Sequence, residues 1–523
     1  MTILGSILKG GLNLTQRIKP KLITPHELQK KTLRQLMLKS KDTDFGHTFG
    51  FRLLLSRKNR LDQYQFYNNF CDAVPIYTYN TIFEKWWRRT LQGEANVTWP
   101  GKVKFFALSS GTSEASTKHI PLTKQMLRAI RNTGIKQMLS LSQFNFPKTL
   151  FEKRILMLGG STNLSFNGTY YEGDLSGISA SQIPFWFQHF YKPGKIIAKT
   201  KDWEEKLHEI AINAHKWDVG YIVGVPAWIQ ILIEKIIVHH GASNIHDIWP
   251  NLQVFCHGGV SFEPYKKGFE KLLGKPITYI ETYLASEGFI AFQNRPNTHT
   301  MKMVLNNGMF YEFIPFNEDN FDAEGELKNN PETLMIDQAI EGVDYALLMS
   351  TCSGTWRYLI GDVIQFTDVD NHEIIIKGRT KHFMSLCGEH LSIDNMNKAI
   401  QLTASDFNID IKEFTIAGIP HEGMFAHKWF IGTDQKVDAD QLKTVLDQHL
   451  KLLNDDYRTE RICALKEVLV TVLPSEVFYD WLKAKGKQGG QHKFPRVLKN
   501  KPLEDWEAFV GVHGNEYMVM STG

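Results

Sequence analysis

The stretch DVGYIVGVPAWIQILIEKIIVHHG, residues 218–241, decides the fold class. It opens as a short apolar run that reaches Gly224, the pattern of a buried strand. Pro226 follows where a helix would begin, at a position whose N–H has no partner inside the helix in any case. Helical spacing then runs to Gly241, which suits the left-handed conformation that often ends a helix. A buried strand turning at once into a helix is half of an alternating α/β unit. The same stretch holds the most membrane-like run of the chain, but Gln230, Glu234 and Lys235 interrupt it, so a core helix is expected and no membrane span.

Two more apolar runs end in glycine: RILMLGG (154–160) and LQVFCHGG (252–259). With the first they predict an α/β core whose loops gather at strand ends. Upstream, the first 70 residues read mainly as helix, most clearly in HELQKKTLRQLMLKS (26–40). From 303 to 366 the texture turns to β, with MFYEFIPF (309–316) and WRYLIGDVIQF (356–366), followed by HEIIIKGR (372–379). A boundary is expected near Lys381, giving domains 1–380 and 381–523. The second reads as a small α+β unit: helices over 393–404 and 438–453, strands near Phe414 and Val468, and a basic tail loop.

A chain of 523 residues, 42% hydrophobic and 22% charged, is long enough for two globular domains. Sixty basic against 56 acidic side chains leave +4, too little to imply nucleic acid or a membrane surface as partner. The five cysteines show no C-x-x-C spacing and are odd in number, which points to a reducing compartment. The start, MTILGSILKGGLNLTQRIKPKL, lacks the continuous apolar centre of a signal peptide, so a cytoplasmic location is expected.

The chemistry begins at FFALSSGTSEASTK, residues 105–118. A Ser/Thr/Gly loop after a buried strand can offer backbone N–H groups and small hydroxyls to an anion, with Lys118 adding charge. An ordinary polar turn has the same composition, and the loop alone leaves both readings open. Familiar alternatives are absent: none of the Gly-Lys pairs at 101, 194, 274 and 486 is followed by Ser or Thr, and no G-x-S-x-G or H-E-x-x-H occurs.

The order of the motifs is more telling. SSGTS (109–113) with Lys118 resembles the S-S-G-T-S-x-G-x-x-K loop of the GH3 family, acyl acid amido synthetases of the adenylate-forming superfamily. ETYLASEG (281–288) resembles that family's T-Y-A-S-S-E block, and WRYLIGD (356–362) its Y-R-x-G-D block. FCHGG (255–259) fits the glycine pair before the second block, GGQHKFPRV (489–497) the C-terminal lysine and Pro-Arg segment, and KDTDFGHTFGF (41–51) the N-terminal helical region. Ala115, Leu284 and Leu359 depart from the pattern and suggest a diverged, bacterial-type member.

The resemblance implies a large adenylate-forming domain, with β-sheets flanked by helices, over 1–380 and a small mobile α+β lid over 381–523. It implies ATP and Mg²⁺ as cofactors, and a small carboxylic acid and an amine, an amino acid, as substrates. Ser109, Ser110, Gly111, Thr112 and Ser113 would hold the β- and γ-phosphates, with Lys118 beside them. Gly258, Gly259, Thr282, Tyr283, Asp362 and Arg379 would bind the rest of the nucleotide, Tyr283 against the adenine and Asp362 on the ribose hydroxyls. Glu287 is the expected Mg²⁺ ligand, since a hard cation wants carboxylate oxygen. Lys493 is the expected catalytic cation and Lys381 the hinge. His119 and His257 read either as bases for the acceptor step or as structural histidines. The rings of PFWFQHF (184–190) would line the acid pocket or belong to the core. An adenylate-forming acyl-CoA ligase, or a nucleotide-binding relative without turnover, is the alternative. The acid and the oligomeric state stay open.

Overall fold

The computed structural model describes residues 23–56, 64–110, 117–259, 262–322, 325–380, 383–384, 386–387, 389, 391–485 and 494–520. The chain divides into two compact units, Met1–Leu108 with His119–Lys381, and Ser109–Lys118 with His382–Gly523.

The first unit is organised by an 11-stranded sheet. Its parallel part runs Thr278–Ala285, Val254–Gly258, Val219–Gly224, Arg154–Met157 and Tyr191–Lys192. Strands paired in parallel need crossovers, and the helix Pro226–His240 supplies one. It forms as its sequence dictates: proline stands in its first turn, and Gly241 closes it at φ +60°. Ile229, Leu232, Ile233 and Ile236 are fully buried on this helix, which accounts for the apolar run.

Beyond Thr278–Ala285 the sheet becomes antiparallel, through Gly288–Phe292, Met301–Met303, Glu373–Arg379, Tyr358–Asp368, Asp344–Thr351 and Met309–Pro315. The N-terminal helix Pro25–Ser40 starts in a capping box between Thr24 and Glu27. Its buried Gln29 bonds the carbonyls of Leu305 and Met309, pinning it to that half. A separate four-stranded sheet runs Thr117–Leu122, Phe105–Ser110, Tyr171–Gly173, Ser165–Phe166.

The C-terminal part builds a four-stranded sheet in the order Leu465–Leu473, Met424–Gly432, Glu413–His421, Val497–Leu498. Helices Ile393–Phe407 and Ala439–Leu453 pair with each other, and Ser475–Ala484 with Asn500–Met520. Phe430, Phe478, Trp481, Phe494 and Trp506 fill a common aromatic core. The strand Met424–Gly432 and the helix Asn500–Met520 go beyond the elements expected from sequence. The α/β class with α+β elements stands. Among the described residues no helix is long and apolar enough to cross a membrane.

Candidate active site

Three strand ends and one sheet interval assemble the site. At the end of Val254–Gly258, Gly258 is paired with Thr282 on the neighbouring parallel strand. The approach is so close that a Cβ at Gly258 would lie 2.4 Å from the Thr282 carbonyl oxygen. Thr282 Oγ1 donates to the His257 carbonyl at 2.9 Å, and Gly259 turns away at φ +85°. Only glycine permits this contact between a loop and an adjacent strand.

The strand Thr278–Ala285 continues into a tight reversal that presents Glu287, and Gly288 takes φ +152°. Tyr283 is 5% exposed and points across the sheet, where its hydroxyl donates to Asp362 Oδ2 at 2.5 Å. Asp362 and Arg379 are register partners on adjacent antiparallel strands, and Asp362 Oδ1 pairs with Arg379 Nε at 2.8 Å. Tyr358, four residues before Asp362 on the same strand, is buried beside the buried Glu287, whose carboxylate acts on its phenol.

Tyr283, Tyr358, Glu287, Asp362 and Arg379 therefore form one polar cluster, the first three buried and the last two half-buried. Burial pushes the Tyr283 phenol well above its usual range, and Asp362 pushes it further. Burial acts the same way on Tyr358, reinforced by Glu287. Burial works against the Arg379 charge, but Asp362, Tyr283, Glu287 and Tyr358 outweigh it and hold the guanidinium above its usual value. The phenols thus stay protonated donors, and the arginine stays a fixed cation between two carboxylates.

Of the residues singled out from sequence, Tyr283, Glu287, Asp362 and Arg379 meet in this cluster, while Gly258, Gly259 and Thr282 lie at the adjoining strand ends. Ser109 is half-buried in the strand Phe105–Ser110, which also contains the Ser110 backbone, and Lys118 is half-buried in Thr117–Leu122. Gly111, Thr112, Ser113, Lys381 and Lys493 lie outside the described residues. Tyr358 was not singled out, although period 2 along the strand puts it on the face of Asp362. His257 is buried, with a ring stacked on Phe262 at 4.7 Å, and burial lowers its pKa to about 4. His119 Nε2 lies 3.2 Å from Glu172 Oε2. In the 184–190 segment, Phe185 is 86% exposed and so is no core ring, whereas Phe187 packs against the core of the parallel sheet.

The family models match in sequence order. The GH3 family N-terminal domain covers residues 15–165 and 132–277, the GH3 family central domain 302–374, and the GH3 family C-terminal domain 394–502. The chain belongs to the GH3 family. Among its relatives, the jasmonoyl–L-amino acid synthetase JAR6 of Nicotiana attenuata is 20% identical over 456 residues, 74% of this chain and 76% of that one. The indole-3-acetic acid-amido synthetase GH3.2 of Arabidopsis thaliana is 27% identical over 134 residues, 24% of each chain.

The GH3 fold is shared with solved structures. The acyl acid amido synthetase AtGH3.15 in complex with 2,4-DB matches with a TM-score of 0.57 at 16% identity, covering 96% of both chains. A 2-hydroxyisobutyryl-CoA ligase in its thioesterification state matches with a TM-score of 0.57 at 11% identity, over 92% of this chain and 91% of that one. The GH3 resemblance read from the motifs is borne out along the chain, and the mixed α/β fold with it.

Proposed function

We propose that this GH3 chain is an acyl acid amido synthetase, which adenylates a small carboxylic acid with ATP and passes the acyl group to an amino acid. The observation that carries the reading is the Tyr283–Asp362–Arg379 constellation, with Tyr358 and Glu287 beside it, in a chain of this family. In the first step a carboxylate oxygen attacks the α-phosphorus of ATP and pyrophosphate leaves. In the second, the amine nitrogen attacks the acyl carbon, AMP leaves with the bonding pair, and the nitrogen gives up a proton. Neither step asks for a side-chain nucleophile. Both ask for position and for cancelled charge.

Residues 1–380 bind ATP and acid in this scheme, and 381–523 act as a lid that turns about Lys381. The hydroxyl loop at 109–113 and Lys118 take the phosphate tail, and Gly258, Gly259 and Thr282 let the nucleotide approach the backbone. Asp362 accepts the ribose hydroxyls: each carboxylate oxygen accepts more than one bond, so its contacts to Tyr283 and Arg379 leave capacity. Lys493 balances the charge that gathers at the α-phosphorus. Glu287 offers the hard oxygen that Mg²⁺ favours, and the cation would supply charge neutralisation at the phosphates. The place of work is the cytoplasm.

Carboxylate-dependent exchange of labelled pyrophosphate into ATP, run over a panel of acids, tests the first step; no exchange with any acid rejects it. Product analysis with amino acids and with coenzyme A tests the second. An amide is expected, and a thioester without amide makes the chain a CoA ligase.

A further inference from the structure

Arg357 carries a buried network that none of the motifs accounts for. It is 4% exposed, takes φ +39°, and faces a Glu312 with no exposure at all. Its Nε donates to Glu312 Oε1 at 3.0 Å, and Nη2 lies 2.9 Å from the same oxygen. Nη1 reaches the carbonyls of Cys71 at 3.1 Å and Val74 at 2.8 Å, and Nη2 reaches Thr333 Oγ1 at 3.1 Å. Tyr67 adds its hydroxyl to Glu312 at 3.1 Å. A buried ion pair contributes little net stability, and a non-glycine residue at positive φ costs more. Such an arrangement is better explained by what it holds in place.

It holds segment 71–79. Tyr77 N–H donates to the Arg357 carbonyl at 2.9 Å, and Leu359 N–H donates back to the Tyr77 carbonyl at 2.8 Å, so the segment runs parallel beside Tyr358. Two residues on, the hydroxyl of buried Tyr79 accepts the backbone N–H of His119 at 2.9 Å. The Tyr79 ring is fixed by Phe83 at 5.4 Å and Trp87 at 6.1 Å, and Trp87 packs on Tyr358 at 5.6 Å. One end of the segment thus braces the strand of Tyr358 and Asp362. The other braces the strand on which His119 follows Lys118.

We infer that Arg357 and Tyr79 are positioning residues for adenylation, using segment 71–79 as a strap that fixes the strand of Asp362 against the strand of His119. The inference rests on the nucleotide-binding reading above and extends it to residues that touch no substrate.

Tyr79→Phe keeps the ring and removes the acceptor for the His119 N–H. ATP affinity, measured by calorimetry on the full chain, should weaken about fivefold to tenfold. The melting temperature and the affinity for the acid should hold. Arg357→Lys keeps a charge opposite Glu312 but cannot fork to both carbonyls, and it should weaken ATP similarly. Because both act on one strap, the double variant should lose less than the product of the two single losses. Unchanged ATP affinity in Tyr79→Phe overturns the inference, as does a parallel fall in ATP affinity, acid affinity and melting temperature. Fully multiplicative losses overturn it too. A wild-type chain that binds ATP without any pyrophosphate exchange rejects the proposed reaction but leaves this ATP-affinity test decisive. A wild-type chain that binds no ATP overturns both.

Discussion

Tyr283 and Asp362 stand 79 residues apart in the chain, and the phenol of one donates to a carboxylate oxygen of the other at 2.5 Å. The other oxygen of Asp362 is paired with Arg379. The carboxylate is therefore immobilised from two sides before any nucleotide arrives. In the proposed role, an acceptor fixed in this way would lose little freedom on taking up ribose hydroxyls, which is the advantage of preorganisation.

The ribose role of Asp362 predicts a pattern across nucleotides. Wild-type protein should bind ATP about tenfold more tightly than 2′,3′-dideoxy-ATP. Asp362→Asn should bind ATP more weakly and lose most of that preference. Calorimetry with both nucleotides decides it, and a preference that survives Asp362→Asn rejects the role. Asp362→Ala is a different experiment. It removes one of the two carboxylates beside a half-buried Arg379 and should cost about 1–3 kcal/mol of stability, read by urea titration.

Gly258→Ala tests the close approach to Thr282. The added Cβ would meet the Thr282 carbonyl, a backbone atom that no rotamer change can move aside. The two parallel strands must shift, at a cost of about 1–3 kcal/mol. A lower melting temperature and weaker ATP binding are expected together. Stability and affinity equal to wild type would mean the strands are not as tightly apposed as described.

The C-terminal unit carries its own acid sensitivity. Glu389 and His427 pair at 2.9 Å with neither side chain exposed, and the carboxylate also accepts the N–H groups of Leu386 and Cys387. Burial opposes the charge on Glu389, but the His427 bond and the backbone donors prevail and hold its pKa near 2, below an ordinary 4.5. A carboxyl with a depressed folded-state pKa adds stability above its unfolded value. That stability is lost as pH falls from about 4.5 toward 2, for about 3 kcal/mol in total. Fluorescence of Trp429, Trp481 and Trp506 during acid titration would follow it. Glu389→Gln should flatten the loss across that window, and an unchanged slope would count against the pair.

The sequence disclosed some of this and concealed the rest for physical reasons. Residues 218–241 spelled out a strand and a helix because both signals are local: an apolar run, a proline, a closing glycine. Glu287, Asp362 and Tyr283 were legible because they sit inside short blocks with a family pattern. The strand Met424–Gly432 was missed because His427 and Lys428 interrupt its apolar pattern, and His427 turns out to be buried against Glu389. The contacts of Arg357 and Tyr79 were invisible for another reason. The partners of Arg357 at Glu312 and Cys71 lie 45 and 286 residues away, and that of Tyr79 lies 40 away, distances at which no periodicity operates. Tyr358 was within reach, since alternation from Asp362 leads to it.

Lys493→Ala is the sharpest test of the proposed chemistry. As the acid oxygen closes on the α-phosphorus, negative charge concentrates where a lysine could answer it. A cation that acts only there lowers the barrier without tightening the ground state. The variant should therefore adenylate about 10²–10³-fold more slowly while its ATP affinity stays near wild type. Pyrophosphate exchange gives the first quantity and calorimetry the second. A chemically prepared acyl-adenylate separates the two steps. Supplied to Lys493→Ala with the amino acid, it should yield amide at close to the wild-type rate, because the step that needs the lysine has been bypassed. If amide formation from the preformed adenylate falls as far as exchange does, Lys493 serves both steps and its assignment to adenylation alone is wrong. If exchange does not fall, the cation lies elsewhere.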